Sequence, residues 1–99
     1  MAAPQGQSGG DNLNVGQVSV GTSATLIAAA RGESPANGPR ISITVTNLGS
    51  ATVFIAPTSG VTAATGHGIP AGQAQSFPYT GPVYGIAASS QTVSFAESF

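Results

Sequence analysis

The sequence contains no cysteine, no lysine and no tryptophan. Without cysteine, neither a disulfide nor a thiolate metal site can form. Without lysine, and with arginine only at Arg31 and Arg40, there is no basic cluster to track a phosphate backbone or an anionic lipid surface. Nucleic acid and membrane partners are therefore excluded. Acidic residues are equally scarce. Charged residues make up 5% of the chain, against roughly 25% in an average domain, and the net charge is -1. Long apolar runs are missing too: nothing approaches the roughly 20 residues that span a bilayer. The opening MAAPQGQSGGDN lacks the basic and apolar regions of a secretory signal, so synthesis in the cytoplasm is expected.

What is present is Ser, Thr, Gln, Asn, Gly and Ala around short apolar runs, in a chain of 99 residues. That length suits one small domain, which buries roughly 65% of the surface of its unfolded chain. A polar surface with near-zero net charge lacks the like-charge repulsion that keeps small proteins apart. Composition therefore favours a protein packed against others over a monomer kept in solution by hydroxyls and amides.

Residues 1–12 read as an arm, because nothing in them can bury an apolar face. The arm is either a fraying terminus or a segment that orders on a neighbouring subunit. Residues 13–99 read as one all-β domain. VGQVSV (15–20) has alternating valines near its end. TSATLIAAA (22–30) reads as a strand rather than a short helix, since it lacks a polar helical face. RGESPANGPR (31–40) is a loop holding three of the five charges, Arg31, Glu33 and Arg40, and such a loop can make ion pairs with a partner.

ISITVT gives the clearest signal: Ile41, Ile43 and Val45 alternate with Ser42, Thr44 and Thr46, as in a half-buried strand. Asn47-Leu48-Gly49-Ser50 is turn material, and ATVFIA (51–56) reads as the returning strand of an antiparallel hairpin. Residues 57–72 form a long connection with a weak strand or turn near Val61 and Thr62. AQSFPY (74–79), VYGIAA (83–88) and TVSFAE (92–97) supply three more strands. Short strands punctuated by Gly and Pro predict a small antiparallel β-sandwich or jelly-roll-like barrel.

Two patterns hint at chemistry. GHGIPAGQ (66–73) spells G-x-G-x-x-A around the single histidine. A dinucleotide loop of that spelling needs a helix after it and an acidic residue about 20 positions on. Neither is present, so the stretch reads as a turn with His67 exposed. A zinc site needs three or four ligands, and a hydrolytic triad needs a carboxylate that orients the histidine. The acids Asp11, Glu33 and Glu97 are scattered and show no such relation to His67. No enzyme, metal, cofactor or small-molecule substrate is expected. Phe77, Tyr79 and Tyr84 form either a sugar-stacking platform or core and edge packing, and strand alternation favours packing.

One order of pieces is distinctive: Asn47-Leu48-Gly49-Ser50, TVFIAPTSGVT (52–62), TGHGIPAGQ (65–73), an aromatic-bearing strand, VYGIAA (83–88) and TVSF (92–95). Over about residues 41–97 this resembles a small β-rich module of structural proteins of tailed bacteriophages. In that module GIPAG is the turn that opens a strand, with Pro70 fixing the backbone and Gly72 reversing it. The resemblance implies a capsid decoration or cement protein on the virion exterior. Its partners would be the major capsid protein and sister copies, as a homodimer or homotrimer. Candidate contacts to such partners are Pro4, Gln5, Gln7 and Asn12 on the arm, and Arg31, Glu33 and Arg40 in the charged loop. The competing reading is a receptor- or glycan-binding module of a tail or spike, using Tyr79 and Tyr84.

Overall fold

A computed structural model describes residues 13–30 and 39–99. They form eight strands and no helix: β1 (Leu13–Val20), β2 (Thr25–Ala28), β3 (Ser42–Asn47), β4 (Val53–Ala56), β5 (His67–Ile69), β6 (Ala74–Phe77), β7 (Val83–Ala87) and β8 (Gln91–Ser98). Two four-stranded antiparallel sheets result, ordered β1-β8-β3-β6 and β2-β7-β4-β5. Within them the first strand pairs with the last, the second with the seventh, the third with the sixth and the fourth with the fifth. The pairs β3·β8 and β4·β7 complete the sheets. This is a long antiparallel ribbon rolled into a sandwich, the eight-stranded jelly roll.

The core follows from the period of two. Ile43 and Val45 of β3, Val53 and Ile55 of β4, and Val83 and Ala87 of β7 point inward and are buried. Their β-branched side chains fill a pleated surface well. The intervening Ser42, Thr44 and Thr46 stay partly exposed on the outer side of the first sheet. Larger groups, Phe77, Tyr79 and Phe95, pack around this aliphatic centre.

The expected β3–β4 hairpin is not formed. β3 lies in the first sheet and β4 in the second, so residues 48–52 arch from one sheet to the other. Ile43 and Val45 therefore face Val53 and Ile55 across the core instead of lying beside them. Alternation dictates only that one face of each strand is buried, and an arch satisfies it as well as a hairpin does. The arch is held by side chains. The Asn47 amide nitrogen donates to Ala51 O at 2.7 Å and Ile69 O at 2.8 Å, and its oxygen accepts from Gly49 N at 2.9 Å. Gln91 Oε1 accepts from Ser50 N at 2.8 Å and Ala51 N at 3.2 Å.

The connection after β4 also differs from expectation. Residues near Val61 form turns, one of the two forms expected there, and Val61 is buried apart from the main core. A strand that was not expected, β5, follows, so His67 is exposed but is a strand residue rather than a turn residue. The turn comes next. Gln73 N donates to Pro70 O at 3.0 Å, and Gly72 has φ 77°. A positive φ at the third position marks a type II turn, which calls for glycine there. A β-carbon on Gly72 would meet no atom within 4 Å. The cost of Gly72→Ala is thus purely conformational, about 1 kcal/mol. Urea unfolding should show that loss, with the denaturant slope unchanged.

Candidate functional site

Arg40 and Glu97 meet inside the sandwich. Arg40 immediately precedes the chain's approach to β3, and Glu97 follows Val93 and Phe95 on the inward face of β8. Both side chains are 0% exposed. Arg40 Nη1 lies 2.6 Å from Glu97 Oε2. The guanidinium also donates through Nε to Tyr79 O at 2.8 Å, through Nη1 to Ala29 O at 3.1 Å and through Nη2 to Gly81 O at 2.6 Å. Asn14 Nδ2 donates to Glu97 Oε1 at 2.8 Å.

This cluster ties β1, β8, the end of β2 and the β6–β7 connection to one charged fork. It corrects the expectation for Arg40. That residue's place in the sequence groups it with the charges of a solvated loop as a partner contact, yet its guanidinium is engaged within the chain. Desolvation explains the change: a buried cation requires an anion and several acceptors, and Glu97 with three carbonyls supplies them. A sequence signal existed in the parity of Val93, Phe95 and Glu97, which puts the acid on the inward face.

The described surface is thereby left without an Asp, Glu, Lys or Arg side chain. Asp11, Arg31 and Glu33 are the other charged residues, and they lie outside the described residues. Among the described residues, no Asp, Glu, Lys or Arg side chain reaches solvent. The outer side of the first sheet is instead a field of hydroxyls. Ser42 and Ser98 are linked at 2.8 Å, and Thr44 and Ser76 at 2.7 Å, as cross-strand neighbours in register. The outer side of the second sheet carries Phe54, Ala56, Tyr84 and Ile86 from β4 and β7.

One cleft of about 370 Å³ opens where the ends of the sheets meet, lined by Ile55, His67, Phe77, Pro78, Tyr79 and Val83, among others. The His67 and Phe77 rings stand edge to face, with centroids 6.3 Å apart. The lining is apolar apart from the imidazole and the Tyr79 phenol. Tyr84 does not line it, so the two tyrosines of the glycan reading sit on different surfaces. The only described carboxylate side chain, Glu97, is engaged by Arg40 and Asn14 and does not orient His67. Among the described residues, no three His, Cys, Asp or Glu residues gather as they would around a metal ion. No helix there is long and apolar enough to cross a membrane. The arm positions Pro4, Gln5, Gln7 and Asn12 and the loop positions Arg31 and Glu33 fall outside the described residues.

No protein-family model matches the chain, and neither a curated protein nor a solved structure matches it.

Proposed function

We propose that this chain is a virion structural protein, a capsid decoration or cement protein that binds the outer capsid lattice and reinforces contacts between capsomers. One observation carries the reading: the described surface holds no charged side chain, and hydroxyls cover one sheet. A surface without like-charge repulsion suits a protein whose working state is packed against others. The jelly roll adds support, since this architecture recurs in viral capsid and lectin domains. The resemblance of about residues 41–97 to a β-rich module of bacteriophage structural proteins points the same way.

The mechanism is additive. A rigid sandwich caps the shell and meets the major capsid protein and sister copies. Each contact is weak, and a repeating lattice makes many of them together, so retention is strong.

The cleft supports a second reading, a tail or spike module that binds a glycan or receptor. There Phe77 and Tyr79 would stack on the ligand, and Tyr84 would take no part. Quantitative mass spectrometry of particles purified from the source separates the two. The lattice reading expects a copy number comparable to that of the major shell protein. A handful of copies per particle favours the tail reading, and absence from particles overturns both.

A further inference from the structure

We propose that the outer edge of β1 is a docking site for the same edge of a second copy of this chain, so that two first sheets join into one. The inference rests on the edges of the sandwich and not on the capsid reading.

A sheet edge presents unpaired N–H and C=O groups, and folded proteins blunt it with short strands, charges, prolines or bulges. Three of the four edges here are blunted. β2 has four residues, and its register shifts between Leu26 and Ala28. β5 has three residues and runs into Pro70. β6 has four and runs into Pro78.

The fourth edge is different. β1 has eight residues, pairs with β8 without a register shift, and contains neither proline nor a charged residue. No described strand pairs with its other side. Leu13 and Val15, at 69% and 65%, are the two most exposed large apolar side chains among the described residues, and both lie on this strand.

The groups on such an edge are complementary only to another extended strand. A two-fold axis beside β1 supplies one in antiparallel orientation, as in isologous dimers. Like charges would oppose a self-pairing strand, and β1 has none to bring together. Leu13 and Val15 of each copy are then laid against the other strand and leave water.

The test uses the full chain in two measurements. Sedimentation from roughly micromolar to roughly millimolar concentration should show a monomer–dimer equilibrium. Over the same range, hydrogen exchange should show protection rising with concentration at the alternate amides of residues 13–20 that point away from β8. The double variant Leu13→Lys/Val15→Lys places charges on the edge, and should raise the dissociation constant by roughly tenfold or more. The control Leu26→Lys/Leu48→Lys, at positions 44% and 52% exposed, should leave it unchanged.

A chain that stays monomeric throughout overturns the proposal, as does a dimer that survives the β1 lysines or is lost only in the control. Protection of the outward-facing amides already in the monomer overturns it as well, because an intramolecular segment such as the arm would then cover the edge. The exchange measurement needs no substitution, so the test stands even if a lysine variant misfolds.

Discussion

Replacing Glu97 with glutamine should destabilise the domain by about 3–5 kcal/mol, the cost of breaking a buried ion pair from one side. The substitution keeps the shape and removes the charge. The new amide must also point its NH2 group at a donor, either Arg40 Nη1 or Asn14 Nδ2, because both now donate to Glu97. Domains of this size have a total stability of about 5–15 kcal/mol, so the loss is a large share, and the melting temperature should fall by more than about 12 °C. Arg40→Met should be comparably severe, since it removes the cation beside the buried Glu97 and withdraws donors from the carbonyls of Ala29, Tyr79 and Gly81. The double variant Arg40→Met/Glu97→Gln should cost less than the sum of the singles by more than about 1 kcal/mol, because the charges disappear together. Those three carbonyls stay unpaired in it, so recovery is partial. Urea titrations followed by circular dichroism give all these values. A Glu97→Gln loss below about 1 kcal/mol would place the pair in contact with water, against the burial described.

The second large effect is expected at Asn47. This residue is wholly buried, and its amide holds two carbonyls and one N–H around the arch between the sheets. Asn47→Asp has nearly the same shape and reverses the polarity of two contacts. Both donors are lost, and a carboxylate oxygen faces the carbonyls of Ala51 and Ile69. The expected loss at neutral pH is about 3 kcal/mol or more.

Its pH dependence has a definite sign. Burial beside two acceptors raises the folded-state pKa of the new carboxyl above its unfolded value of about 3.9. The folded state therefore holds the proton more tightly than the unfolded state does. The penalty is smallest at pH below that unfolded value, where a protonated carboxyl can donate to one carbonyl, and it grows as pH rises through the folded pKa. Urea midpoints of the variant and the parent, compared at matched pH, test this. Asn47→Leu should be destabilised with no added pH dependence relative to the parent, and a flat profile for Asn47→Asp would contradict the arrangement described.

Much of the fold was legible because strands announce themselves by period. Ile43 and Val45 alternate with Ser and Thr, and the buried positions of β3 follow that alternation. The Pro70–Gly72 turn was legible too, since a type II turn demands what only glycine provides freely. β5 was not: His67-Gly68-Ile69 has one inward aliphatic, too few for any period to show. The pairing of β3 and β4 was illegible for a deeper reason. Neighbours within a sheet and neighbours across a core bury the same alternate residues, and the difference lies in a five-residue arch and in two side chains, Asn47 and Gln91, that hold it.

At the site, composition foretold an uncharged surface, but the fate of the charges was harder to read. Arg40 stands at the end of a polar, charged loop and resembles its neighbours there. Its partner is 57 positions away, a separation that no local pattern reports. The low charge of the sequence therefore understates how neutral the described surface is, because two of the charges cancel inside.

The place of β8 in the first sheet governs when this protein can fold. β8 lies between β1 and β3, so the last of the eight described strands in chain order is a central one. Leu13 waits for Ser98, its register partner, and β3 waits for the same strand along one of its sides. During synthesis neither strand can complete its ladder until residues 91–98 have left the ribosome. Folding of this domain therefore waits for all eight strands and is slow for its length, as non-local pairing dictates. In the interval, nascent chains carry uncovered, uncharged strands, and crowding between them is the stage at which this protein is most exposed to aggregation.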